Sequence, residues 1–172
     1  IKQMFPKVNS ILGDICVFNS VYSAMQGHTH VIHAAAMKRI EVCERLPLQA
    51  TQNNILGTAN VVESAKKLNI ENLVSLSTDK AADPINTYGM TKYIAEQIVL
   101  NAGYNCTRYG NVFGSRGSVV EIFHKQSQQG LPITVTNDEM TRFIMQYNDA
   151  VELVHHALVS PLKKCIFVPE MK

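Results

Sequence analysis

Leu73-Val74-Ser75-Leu76, followed by Ser77-Thr78-Asp79-Lys80 and then by Tyr88-Gly89-Met90-Thr91-Lys92, is the stretch that decides the fold. The first four residues are a short run of strand type, so the Ser-Thr-Asp-Lys word sits where that strand ends. In an open α/β sheet the carboxyl edge of the strands is the ligand side. Tyr88 and Lys92 are four apart, on one face of a helix that Asn86 or Thr87 can cap. That spacing lets the Lys92 ammonium approach the Tyr88 phenol, and a nearby cation draws a phenol pKa of ~10 down toward neutrality.

Working outward, Val31-Ile32-His33-Ala34-Ala35-Ala36 reads as a buried strand running into a turn of small residues, where a ligand can come close to the backbone. From Asn53 to Leu68 the apolar positions Ile55, Leu56, Ala59, Val62, Ala65 and Leu68 follow helical spacing, with Thr51, Asn53 or Asn54 available as cap. Helix is also expected over Tyr88 to Leu100, and strand over Cys106 to Tyr109 leading into a glycine-punctuated loop, Gly110 to Gly117. Further on, Val119 to Gln129 and Asn148 to Val159 read as helices, and Ile133 to Thr136 and Cys165 to Val168 as extended segments. Strands alternating with helices imply an α/β fold: a Rossmann-like, doubly wound, mainly parallel sheet.

The length of 172 residues and the 46% hydrophobic content suit a single domain with one core. Sixteen basic and fourteen acidic residues are scattered without blocks of like charge, which gives no case for a nucleic-acid partner. Cys16, Cys43, Cys106 and Cys165 are far apart and form no CxxC pair, so reduced thiols in a cytoplasmic protein are expected, with no disulfide scaffold or metal site. No apolar stretch approaches the ~20 residues of a membrane span.

Taken alone, a tyrosine and a lysine four apart are a common surface pair, and Asp79-Lys80 could be a mere turn. The surrounding words decide otherwise. His33-Ala34-Ala35-Ala36, Ser77-Thr78-Asp79-Lys80-Ala81, Pro84-Ile85-Asn86, Tyr88-Gly89-Met90-Thr91-Lys92, Arg108-Tyr109-Gly110-Asn111-Val112, Gly114-Ser115-Arg116-Gly117-Ser118-Val119, Pro132-Ile133-Thr134-Val135-Thr136 and Met140-Thr141-Arg142-Phe143 occur in order. Together they resemble the extended short-chain dehydrogenase/reductase superfamily. Within it they are similar to the inverting UDP-N-acetylglucosamine 4,6-dehydratases of bacterial polysaccharide and flagellin-sugar synthesis.

The resemblance implies an NADP cofactor, with NAD possible, and a UDP-sugar substrate. It implies oxidation at C4, loss of water across C5 and C6, and return of hydride to C6, giving a 4-keto-6-deoxy sugar nucleotide. By motif, Tyr88 takes the C4 hydroxyl proton, Lys92 lowers its pKa and holds the nicotinamide ribose, and Thr78 hydrogen-bonds near C4. Lys80 removes the C5 proton and Asp79 assists loss of the C6 hydroxyl. Asp14, Ala34, Ala35, Lys38, Asn54 and Ser77 fall on the cofactor side of the pattern, and Asn111, Arg116, Ser118 and Arg142 on the substrate side.

The family pattern also places a glycine-rich phosphate turn well before the Gly-Asp that here is Gly13-Asp14, and none of the nine glycines forms that word. The expectation is a single partial NAD(P)-binding domain over 1–172, truncated at its N-terminus, with substrate-binding elements within about 111–172. An open sheet edge in such a chain favours a homo-oligomer. Two other readings stay open: a catalytically silent module that binds sugar nucleotide or partner chains, and an epimerase of the same superfamily. An Asp-Lys pair directly after the strand-end threonine favours elimination.

Overall fold

Alternation of short apolar runs with amphipathic helices builds a parallel sheet here because each crossover helix can bury one face against it. The computed structural model describes residues 4–115 and 118–170. Its elements run α1 (Phe18–Met25), β1 (His30–His33), α2 (Ile40–Arg45), α3 (Pro47–Thr51), α4 (Gly57–Lys67), β2 (Asn72–Leu76), α5 (Thr87–Asn101), β3 (Asn105–Thr107), β4 (Asn111–Val112), α6 (Val119–Gln128), β5 (Ile144–Met145), α7 (Tyr147–Val159) and β6 (Ile166–Phe167). A π-helical turn (Gln52–Leu56) joins α3 to α4, and a 3-10 turn (Asp79–Ala81) follows β2.

The main sheet has four strands in the order β1-β2-β3-β6, all parallel. Its middle is covered on both sides. Leu73 of β2 joins Val21, Met25, Val61, Val62, Ala65, Val99 and Cys106 in the core beneath α1, α4 and α5. The next residue, Val74, points the other way and packs with Val154 and Ala157 of α7. A central parallel strand buried on both faces reads as a continuous apolar run, which is how Leu73 to Leu76 reads.

Three expectations need correction. Among the described residues β1 lies at the edge of the sheet and is not buried: His30 and Ile32 are exposed, Ile32 by 51%, and only His33 is buried. The helix expected from Asn53 starts at Pro47, whose fixed φ suits a first helical position, so Thr51, Asn53 and Asn54 lie inside it rather than capping it. Ile133–Thr136 forms no strand; the partner of β4 is instead β5, in parallel register Asn111↔Ile144 and Val112↔Met145. A two-residue tertiary pairing carries no period of its own, which is why it escapes the sequence pattern.

Candidate active site

The residues expected to be catalytic converge at the carboxyl ends of β2 and β3. β2 ends at Leu76; Ser77 N–H then donates to the Thr107 carbonyl at 2.7 Å and Asp79 N–H to the Tyr109 carbonyl at 3.0 Å, which carries the chain past the sheet in a defined path. Thr78 caps the 3-10 turn. Its hydroxyl donates to Asp79 Oδ1 at 2.9 Å, and the Lys80 amide donates to the same oxygen at 2.9 Å. Lys80 Nζ closes an ion pair with Asp79 at 3.0 Å and also reaches Asn111 Oδ1 at 3.3 Å.

Helix α5 delivers Tyr88 and Lys92. Asn86 caps it, accepting from the Gly89 amide at 2.8 Å. Gly89 is required by contact: a Cβ there would sit 2.3 Å from the Lys80 carbonyl oxygen, so the helix start lies directly against the Asp79–Ala81 turn. Lys92 is 3% exposed, and its ammonium donates to the Leu76 carbonyl at 2.7 Å. Burial lowers the Lys92 pKa, with Cys106 and Glu96 opposing.

For Tyr88 the expected lowering is not what this chain shows. Burial pushes the phenol up to about 12, hydrogen bonding with Thr78 acts the other way, and the negative charge of Asp79 adds to the rise. One of the three N–H donors of the Lys92 ammonium goes to the Leu76 carbonyl, at the end of the strand.

Two clefts flank this centre. One, of about 390 Å³, is lined by Gly13, Asp14, His33, Ala34 and Ala35 among others, so three of the expected cofactor residues share it. Asp14 Oδ1 accepts from the Cys16 amide at 2.8 Å, which orders the approach to α1. Lys38 is exposed on the loop after β1. Asn54 is fully buried and serves that loop instead of lining the cleft. Its side chain accepts from Met37 N–H at 2.7 Å and donates to the Met37 carbonyl at 2.9 Å and to Thr91 Oγ1 at 3.0 Å. In this structure the Asn54 side chain, expected on the cofactor side, holds the loop after β1 through Met37. Ser77 is 7% exposed with a buried hydroxyl that has no partner among the described residues.

The second cleft, of about 580 Å³, is lined by Asp79, Lys80, Asp83, Asn86, Arg142 and Phe143, among others. Arg142 reaches it because β4 and β5 pair, and that pairing needs Gly110, where a Cβ would fall 2.5 Å from the Phe143 carbonyl oxygen. Asn111 stands at the start of β4. Ser118 precedes α6 and its hydroxyl has no partner among the described residues. Arg116 lies outside the described residues.

Two features went unread in the sequence. His33 is buried, its Nε2 2.9 Å from Thr58 Oγ1, and because that hydroxyl already donates to the Asn54 carbonyl at 2.7 Å, the imidazole is the donor. Glu96 is 1% exposed and holds Arg108 by two hydrogen bonds, of 3.0 and 2.5 Å. The available signal was its place four residues after Lys92, on the same helix face.

Among known proteins, a UDP-glucose 4-epimerase of Rickettsia canadensis (strain McKiel) is 41% identical over 172 positions, covering 95% of this chain and 50% of the epimerase. The solved structure of Pen from Bacillus thuringiensis aligns with a TM-score of 0.94 at 35% identity, over 99% of this chain and 56% of Pen. The UDP-glucose 4-epimerase of Thermus thermophilus, solved in complex with NAD, aligns with a TM-score of 0.77 at 25% identity, over 90% of this chain and 61% of that one. The chain spans about half the length of the curated relatives it matches. Among the described residues no helix is long and apolar enough to cross a membrane. With a family model matching residues 2–172, the chain belongs to the polysaccharide biosynthesis protein family, within the extended short-chain dehydrogenase/reductases.

Proposed function

We propose that the site serves an NADP-dependent 4,6-dehydration of UDP-N-acetylglucosamine, yielding a 4-keto-6-deoxy sugar nucleotide for polysaccharide or glycan synthesis. The observation that carries this reading is the Asp79–Lys80 ion pair, tied to Asn111 and sharing a cleft with Arg142, beside the Tyr88/Lys92 helix start. Inversion at C4 needs one acid/base at the C4 oxygen, which Tyr88 supplies. A second pair is needed when a proton must leave C5 and a hydroxyl must leave C6.

Moving one proton across the 3.0 Å contact from Lys80 Nζ to Asp79 turns the ion pair into a neutral amine beside a carboxylic acid. The amine then accepts the C5 proton, the acid protonates the departing C6 hydroxyl, and water leaves. The pair returns to its starting charge state, so protons balance within the step.

The cofactor site fits a dinucleotide at one end. The small side chains Gly13, Ala34 and Ala35 open backbone to the cleft, and Ser77 keeps a hydroxyl without a partner among the described residues, beside the buried Lys92. When bound, NADP, or NAD in its place, would accept and return the hydride. Ser77, Tyr88 and Lys92 would meet the nicotinamide end, with Asp14, Ala34, Ala35 and Lys38 along the remainder. Arg142, Ser118 and Arg116 would take the UDP moiety, since a guanidinium fork matches phosphate oxygens in pairs. Free thiols and a UDP-sugar substrate fit the cytoplasm, and a homo-oligomer is the expected assembly.

A second reading, C4 epimerisation, is favoured by the name of the 41% identical relative. Incubation of the chain with NADP and UDP-N-acetylglucosamine in deuterated water separates them by mass spectrometry. Dehydration gives a product lighter by one water that carries solvent deuterium at C5. Epimerisation gives an isomer of unchanged mass without deuterium. Binding of the sugar nucleotide with neither product would identify a catalytically silent module.

A further inference from the structure

The turn bearing Asp79 and Lys80 is only one 3-10 turn long, closed by Ala81 N–H to the Thr78 carbonyl at 3.1 Å and Ala82 N–H to the Asp79 carbonyl at 3.0 Å. Its own hydrogen bonds are too few to fix a side-chain pair, so its geometry is set from outside. One outside contact is the Tyr109 carbonyl on Asp79 N–H. Another is Arg108, whose Nη2 donates to the Ala81 carbonyl at 3.2 Å. Arg108 is itself anchored, its backbone N–H donating to the Phe167 carbonyl at 2.8 Å.

What aims the guanidinium is Glu96. Arg108 Nε donates to Glu96 Oε1 at 3.0 Å and Nη2 to Oε2 at 2.5 Å, a bidentate fork that fixes the plane of the group. Glu96 lies eight residues beyond Tyr88 and four beyond Lys92 on α5, so all three project from one helix face. A buried ion pair of this kind adds little net stability, because well-packed apolar residues of similar volume commonly do as well or better. Its retention in the core calls for another reason. That reason is at hand, because the same Arg108 nitrogen touches both the Glu96 carboxylate and the turn that carries the acid/base pair.

We propose that Glu96 is a positioning residue for the Asp79–Lys80 pair, acting through Arg108 and the Ala81 carbonyl, so that one face of α5 sets both halves of the site. The inference deepens the dehydratase reading and rests on it for its chemical meaning. Without the carboxylate, Arg108 is released to rotate, Ala81 loses its outside donor and Lys80 drifts from the C5 proton, while Arg142 and Asn111 keep their hold on substrate.

The test compares Glu96→Gln, Arg108→Gln, the double variant, and Val99→Ala, a cavity in the same helix with no part in the ion pair. Amide hydrogen exchange is followed at Asp79–Ala82 and, as internal reference, at Leu73–Leu76. Glu96→Gln and Arg108→Gln should each speed exchange in the turn by about tenfold relative to the strand, while Val99→Ala moves both sets alike. The double variant should match the single ones, since the pair acts as one unit. In turnover, kcat should fall by about tenfold with KM for the sugar nucleotide held within about twofold. Should Glu96→Gln fail to fold, Glu96→Asp, which keeps the charge with a shorter reach, should show the same difference between turn and strand. Turn amides that speed up only in step with the strand, or a double variant whose effects add, would overturn the proposal. If the unaltered chain gives no turnover at all, the dehydratase reading fails and the exchange data alone decide the positioning role.

Discussion

In the proposed dehydration Lys80 is the residue on which the chemistry would turn, because its ammonium touches Asp79 and Asn111 at once and faces the cleft that holds Arg142. Lys80→Met keeps the length and removes the base. Deuterium incorporation at C5 should vanish and turnover should drop by roughly 10²–10⁴-fold, while sugar-nucleotide binding by calorimetry stays near the unaltered value. His33 makes a different prediction. Burial, reinforced by the Lys92 charge, lowers its pKa from 6.5 to about 4, so the unfolded chain binds a proton that the folded one refuses. The stability this represents is fully present above pH ~6.5 and is lost as the pH falls through the folded value, roughly 3 kcal/mol in all. His33→Gln, which retains a donor toward Thr58, should flatten the pH dependence of the urea midpoint between pH 6.5 and 4; an unchanged slope would remove His33 as its source. At this scale the sequence was readable in placement: Thr78-Asp79-Lys80 lie just past the end of a strand, as their apolar lead-in suggests. It was silent on His33 and Glu96, because a charge buried by tertiary contact looks the same in sequence as one in water.

The elements that carry the site were legible where a period runs long enough. Helices α5 and α7 and strand β2 fall within a residue or two of their expected limits. The failures have a common cause in contacts between distant segments: β5 exists only because Gly110 lets Phe143 approach, and the start of the long helix is set by Pro47 rather than by its apolar stripe. The π-helical turn is the most consequential of these. Its extra residue places Asn54 in the interior, four positions from Thr58, where one side chain satisfies both backbone groups of Met37 and reaches Thr91 on α5. Asn54→Ala leaves the part-buried Met37 N–H without its side-chain acceptor and its carbonyl with only the Cys43 thiol, so unfolding free energy should fall by roughly 1–3 kcal/mol in denaturant titration. The amide of Met37 should lose protection first, and cofactor affinity should fall with it because the Ala34-Ala35 turn belongs to the same loop. Loss of stability without early exchange at Met37 would mean that the π-turn acts elsewhere.

For the whole molecule the deciding quantity is surface. The chain exposes 11458 Å² at 19.1 kDa. A compact monomer of that mass exposes about 8,400 Å², so the excess is on the order of 3,000 Å². Much of the excess is apolar: α6 buries none of its residues, and Leu131, Ile133, Val135, Phe143, Ile144 and Tyr147 are all more than half exposed. The outer edge of β1 has no strand partner among the described residues, and Ile32 stands exposed on it. Apolar area of this size is worth covering at about 25 cal/mol per Å², and an open strand edge offers a template for pairing. The chain by itself should therefore associate. Sedimentation velocity should show species well above 19.1 kDa at micromolar concentration. Because the contact is apolar, raising the salt should leave the distribution unchanged or shift it upward, whereas association through the scattered surface charges would weaken. A single sharp boundary at the monomer mass would show that the exposed apolar surface is tolerated in water, and would remove the physical basis for an oligomer.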